Sequence, residues 1–226
     1  MRFQLGVPFH TFSITARCER TGRLGVGITT RAITVGSRCP FVKAGVGAVA
    51  TQANTDPRLG AMALRLMEMG YSAPKALKEL EASDPYIEYR QLAVLDRDGN
   101  SAARTGKENQ EWAGHIAERN YVAMGNVLLG LHVIEAMARS FEESRGEDLE
   151  ERLLLTIEAG RDAGGQHGGQ ISSGLLVYDR EEYPRVDLRV DEHPEPIGEL
   201  RRIFCLYTPH IEFYNMRPKD PTIPSP

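Results

Sequence analysis

Strand-like segments in this chain follow one another across tight turns, and that limits the fold more than any other feature. In Thr11–Arg17, apolar Phe12, Ile14 and Ala16 alternate with polar Ser13, Thr15 and Arg17, and Leu24–Thr30 alternates again after a turn marked by Thr21 and Gly22. Tyr89–Leu95 and Ser101–Arg104 are likewise joined by the turn signal Asp96-Arg97-Asp98-Gly99-Asn100, and Ser172–Val177 and Arg185–Val190 form a last pair. Parallel neighbours need crossovers of a dozen or more residues, so these links demand antiparallel sheets.

Helical periodicity fills the gaps between these pairs. Leu59, Met62, Ala63, Leu66 and Met67 recur at steps of three and four, as do Ala73, Ala76, Leu77 and Leu80, whose helix has Ser72 at its N-cap and Pro74 in its first turn. A third helix carries Val127, Leu131, Ile134, Met137, Ala138 and Phe141 on one face, a fourth carries Leu149, Leu153 and Ile157, and Ile197 to Tyr207 forms a C-terminal helix ending near Pro209. Val46–Gln52 reads as a buried strand of small residues. Strands near Trp112–Ala117 and Tyr121–Met124 read as a continuation of the second hairpin. The expected architecture is α+β within the α/β class, with two mainly antiparallel sheets between helical layers rather than one doubly wound sheet. One domain, residues 11–215, is expected between a leader, residues 1–10, and a proline-rich tail, residues 216–226, read as an extended arm.

At 226 residues, folding buries roughly 70–75% of the unfolded surface, so no staples are required. Lys plus Arg is 27 and Asp plus Glu is 31, and the charges are dispersed, which leaves no electrostatic footprint for nucleic acid or an anionic membrane. Cys18, Cys39 and Cys205 include no C-x-x-C pair, the start of the chain is interrupted by Gln4, Gly6 and Pro8, and no apolar run is long enough to span a bilayer. A cytoplasmic protein with reduced thiols is expected.

Thr11 is the leading candidate for chemistry. Cleavage of the His10–Thr11 bond would give it a free amine that can take the proton as its hydroxyl attacks a carbonyl; the same residue also suits a plain β-branched strand position. Because no methionine precedes Thr11 directly, removal of the start residue cannot expose it. Lys43, just before the buried strand, and Arg31, closing the second strand, are cations that could depress an amine pKa; Lys43 equally reads as a solvated loop lysine. Asn126 fits an oxyanion donor or the N-cap of the third helix. No two of the six histidines sit at i, i+4, so neither a metal nor any other cofactor is expected. The run Gly164–Gln170 lacks P-loop and dinucleotide spacing and reads as a loop able to line a pocket, and Ser13, Ser172 and Ser173 lack a nucleophile elbow.

Thr11-Phe12-Ser13-Ile14, Thr21-Gly22-Arg23-Leu24-Gly25-Val26, Val35-Gly36-Ser37-Arg38-Cys39-Pro40, the stretch from Ala44 to Ala53 and Trp112-Ala113-Gly114-His115 together resemble a bacterial family of unknown function, DUF1028. That resemblance runs from about residue 11 to residue 178. It implies an N-terminal-nucleophile (Ntn) hydrolase-like fold, a four-layer αββα sandwich, and hydrolysis of an amide bond in a small metabolite or peptide-like substrate. It implies Thr11 as nucleophile and Lys43 as its electrostatic partner; Asn126 is the third catalytic candidate, and Arg31, Gln52, Asn54, Trp112 and His115 are the expected substrate-binding residues. A homodimer is expected from the same resemblance. The alternative expectation is an uncleaved, non-catalytic fold that binds a small ligand or a protein partner.

Overall fold

The computed structural model describes residues 10–225. Its first sheet holds β1 (Thr11–Arg17), β2 (Leu24–Thr30), β7 (Gly114–Glu118), β8 (Tyr121–Asn126), β9 (Ser172–Tyr178) and β10 (Val186–Val190) in the order β10-β9-β2-β1-β8-β7. The second holds β3 (Pro40–Lys43), β4 (Gly47–Ala53), β5 (Arg90–Asp96) and β6 (Ser101–Thr105) in chain order, and every pairing in both sheets is antiparallel. Helices α1 (Pro57–Glu68) and α2 (Ala73–Ser83) cover the outer face of the second sheet. Helices α3 (Leu131–Glu143), α4 (Leu149–Asp162) and α5 (Pro196–Tyr207) cover the first, giving the αββα layering.

Period-two side-chain direction explains the layers. Phe12, Ile14 and Ala16 of β1 point to the core under α3 and α4, while Leu24, Val26 and Ile28 of β2 point the other way, into the layer between the sheets. The intervening Gly25 and Gly27 let α4 lie directly on β2: a Cβ at Gly25 would stand 2.8 Å from Leu153 Cδ1, and one at Gly27 3.1 Å from the Leu153 carbonyl oxygen. Small Ala48, Ala50 and Ala93 let the second sheet approach equally closely from the far side. Val49, Leu92 and Val94 on its outer face meet Leu59, Ala63, Leu77 and Leu80 of α1 and α2.

Several details depart from expectation. β3 is a strand the periodicity missed, because its four residues are too few to show alternation. β7 and β8 do not extend the second hairpin; β8 pairs with β1, and the chain changes sheets after β6. Val127 is not on the face of α3: at φ 54° it occupies the left-handed region, costly for a β-branched residue, and the helix starts at Leu131 behind Gly130. The Ser72 side chain makes no cap bond; the Asp96 carboxylate accepts from the Ala73 N–H at 2.9 Å instead. Beyond Pro209 the chain continues into α6 (Ile211–Met216), which buries Ile211, so the C-terminal segment enters the fold before the final prolines.

Candidate active site

The same alternation that builds the layer between the sheets also makes it polar at one end. The inward stripe of β2 reads Leu24, Val26, Ile28 and then Thr30; that of β4 reads Ala48, Ala50 and then Gln52; that of β8 reads Val122, Met124 and then Asn126. On β5 the stripe runs backward from Leu95 through Ala93 to Gln91, and on β1 it begins at Thr11 and Ser13. Antiparallel pairing brings these ends together: Thr11 stands opposite Thr30 on one side and Asn126 on the other, and Gln52 opposite Gln91.

Their side chains satisfy one another without charge. Ser13 Oγ donates to Gln52 Oε1 at 2.8 Å, Gln52 Nε2 to Gln91 Oε1 at 2.7 Å and Asn126 Nδ2 to the same oxygen at 3.0 Å. Gln91 Nε2 faces the Gly125 carbonyl at 2.8 Å and Thr105 Oγ1 at 2.9 Å, tying β1, β4, β5 and β8 into one network. All four residues are buried, so each bond replaces water that cannot enter.

Thr11 stands beside this network, 2% exposed, and contributes to the wall of a cavity of about 430 Å³. Its Oγ1 is 2.9 Å from Thr30 Oγ1, and Thr30 Oγ1 donates over 2.7 Å to the carbonyl oxygen of His10. Thr30 has one proton to give, so Thr11 is the donor between the two hydroxyls. The same His10 oxygen accepts the Arg31 N–H at 3.0 Å. The carbonyl just before Thr11 therefore has two donors aimed at it. The His10 ring Nδ1 donates to the His167 carbonyl, pinning the glycine-rich loop against the junction. Gly168 packs so tightly on the Arg31 guanidinium that a Cβ there would stand 1.7 Å from Nη1.

Gln52, Asn54, Thr34, Cys39, Arg38 and Arg90 also line the cavity. Arg90 is held by Asp84 Oδ2 at 2.9 Å and by the Asn54 carbonyl, whereas Arg38 is exposed and forms no ion pair among the described residues. Thr34 at φ 59° and Ala53 at φ 65° sit in the wall in left-handed backbone that such residues seldom adopt, the strain common at functional sites. Burial pushes the Cys39 thiol up to about 12, so it is a neutral wall rather than a nucleophile.

Of the residues expected at the site, Thr11, Gln52, Asn54 and Asn126 come together. Lys43 does not: it pairs with Gly47 at the opposite end of β4 from Gln52, on the order of 17 Å along the strand, and its ammonium bonds Glu68 Oε1 at 2.5 Å on the surface. Arg31 serves through its backbone N–H, its side chain being laid against the glycine loop rather than into the cavity. Trp112 packs on the core beneath α3 and is not part of the cavity wall. His115 on β7 touches only the far end of the network, with Nδ1 2.9 Å from Thr105 Oγ1, and burial holds its pKa below the usual value. Thr30, Gln91 and Arg38 were missed. The signal for the first two was the switch from apolar to polar at the end of each inward stripe. Among the described residues no three His, Cys, Asp or Glu side chains converge as metal ligands, and no helix is long and apolar enough to cross a membrane.

Comparison with known proteins gives a family without an assigned activity. A family model described as "Family of unknown function (DUF1028)" matches residues 11–200. The crystal structure of a protein from Silicibacter pomeroyi assigned to that family model superposes with a TM-score of 0.82 at 33% identity, over 88% of this chain and 89% of that one. Anbu, the ancestral beta-subunit, from Yersinia bercovieri aligns at a TM-score of 0.42 and 10% identity, over 95% of this chain and 99% of that one. No curated protein matches the chain.

Proposed function

The chain belongs to the DUF1028 family, and from that premise we propose that it is an Ntn-type amidohydrolase in which Thr11, freed by cleavage after His10, hydrolyses an amide bond in a small metabolite or peptide-like substrate. The observation that carries this reading is the hydroxyl chain from Thr11 through Thr30 to the His10 carbonyl, at the wall of a cavity of small-molecule size. Maturation begins as Thr11 Oγ1 attacks the His10 carbonyl carbon. Thr30 and the Arg31 N–H stabilise the developing oxyanion, the C–N bond breaks as the Thr11 nitrogen takes a proton, and water hydrolyses the resulting ester. This leaves a carboxylate on His10 and a free amine on Thr11.

In turnover that amine is the general base. It accepts the Thr11 hydroxyl proton, passes it to the leaving amine of the substrate, and then activates the water that releases the acyl group. Asn126, opposite Thr11 on β8, holds Gln91 behind the cavity wall, while Gln52 and Asn54 supply polar wall. Arg38, which forms no ion pair among the described residues, favours substrates that carry an anionic group. No lysine acts here.

Intact-mass measurement of freshly purified protein, alongside turnover of a panel of small amides, tests the proposal. Active protein that has lost residues 1–10 supports it, and full turnover by uniformly full-length protein removes the free-amine mechanism. The uncleaved, ligand-binding alternative draws on one observation, the firm anchoring of His10 by its ring and carbonyl. Ligand-induced thermal stabilisation without either cleavage or hydrolysis is its signature.

A further inference from the structure

A second cavity, of about 200 Å³, opens at the other end of β1 from Thr11. Six residue steps along the strand separate Arg17 from Thr11, roughly 20 Å, so the two cavities share an element but no lining residue. Five arginines, Arg17, Arg20, Arg119, Arg145 and Arg152, line it with two glutamates, Glu19 and Glu142. Both glutamates are already engaged, Glu19 by the Asn120 amide at 2.6 Å and Glu142 by Arg145.

Among the described residues, three of the guanidiniums pair with no carboxylate. Arg17 Nη1 reaches only Asn120 Oδ1, at 3.2 Å; Arg119 Nη2 reaches the Asp98 carbonyl, at 2.9 Å; Arg152 Nη2 reaches the Phe141 carbonyl, at 2.8 Å. Arg152 is 6% exposed, its carbon Cζ 3.8 Å above the Phe141 ring, and the Nε atoms of Arg17 and Arg152 are buried with no hydrogen-bond partner among the described residues. Burying a guanidinium without a counter-charge costs several kcal/mol, and burial does push the Arg152 guanidinium down from its usual range. Buried Arg152 and half-buried Arg17, with exposed Arg119 at the rim, leave the cavity short of negative charge.

We propose that this cavity is a binding site for a small phosphate-bearing anion, held by Arg17, Arg119 and Arg152. Planar guanidiniums match tetrahedral oxyanions in pairs of parallel N–H donors, and three of them offer more donors than a single carboxylate can accept. The volume accommodates one phosphate with a small substituent.

Calorimetric titration of the full chain with inorganic phosphate, at ionic strength matched with sodium chloride, tests the site. Saturable binding that weakens with salt is expected, with Arg17→Gln and Arg119→Gln each lowering affinity about tenfold or more. Arg119→Gln, on an exposed turn, keeps the test open if Arg17→Gln fails to fold. Arg38→Gln should leave phosphate affinity unchanged. Absence of binding, affinity retained in the folded Arg17 and Arg119 variants, or affinity lost with Arg38→Gln, which would place the anion beside Thr11, overturns the assignment.

Discussion

The hydroxyls of Thr11 and Thr30 lie 2.9 Å apart on facing positions of β1 and β2, and Thr30 passes the interaction on to the carbonyl of His10. Thr30→Val keeps the shape and removes the donor. Losing one oxyanion donor costs about 10²–10³ in rate, so cleavage after His10 should slow by that order. A mass-spectrometric time course from the first minutes after synthesis reads it directly, and cleavage at the parental rate would take Thr30 out of the maturation step.

Thr11→Ala should abolish turnover and leave the chain full-length, with a thermal midpoint close to that of the parent, because only a small side chain at the cavity wall is trimmed. Thr11→Ser, which keeps a hydroxyl, should retain measurable cleavage. A Thr11→Ala protein that still turns over amides would place the nucleophile elsewhere.

Gln91 accepts from both Gln52 and Asn126 with one oxygen. Gln91→Leu leaves two buried donors unsatisfied at about 1–3 kcal/mol each, so urea unfolding should lose about 2–6 kcal/mol. A loss below about 0.5 kcal/mol would show that water reaches the network.

Much of the fold was legible because alternation and turn chemistry are local. Thr21-Gly22 and Asp98-Gly99 fixed two hairpins, and three- and four-residue spacing fixed α1 to α5, except that Val127 was assigned to α3 on hydrophobicity when its backbone had left the helix. Sheet membership was not legible. Nothing within β7 or β8 tells which of two sheets will accept them, since that choice is made by β1, a hundred residues earlier. Residue type singles out Thr11 and Asn126, which stand opposite each other on β1 and β8, whereas Lys43 lies beside the far end of β4 because nearness in sequence to a buried strand says nothing about which end of it faces the cavity.

Cys39 adds a pH dependence of stability. Its thiol titrates at about 12 in the fold against an ordinary 9.0. The folded state therefore holds the proton more tightly, and the contribution is complete below about pH 9 and is lost as pH rises from there to about 12. Its ceiling is about 4 kcal/mol at 1.36 kcal/mol per unit. Cys39→Ala should flatten the alkaline limb of a stability profile, and an unaltered limb would assign it to other groups.

Arg38→Gln should lower kcat/KM for anionic amides about tenfold and spare neutral ones, the loss expected for one charge-assisted contact. Equal losses on both classes would give Arg38 a role other than charge recognition.

The inward stripes of β2, β4, β5 and β8 run from aliphatic at one end to hydroxyl and amide at the other, all in the same direction in space. Position along a strand then sorts substitutions by consequence. Changes at Leu24, Val26 or Val122 alter how firmly the sheets adhere, whereas changes at Thr30 or Gln52 alter what the cavity can hold. The apolar end can drift in sequence as long as its volume is conserved, and the polar end can be rewritten for a new substrate without unfastening the sandwich.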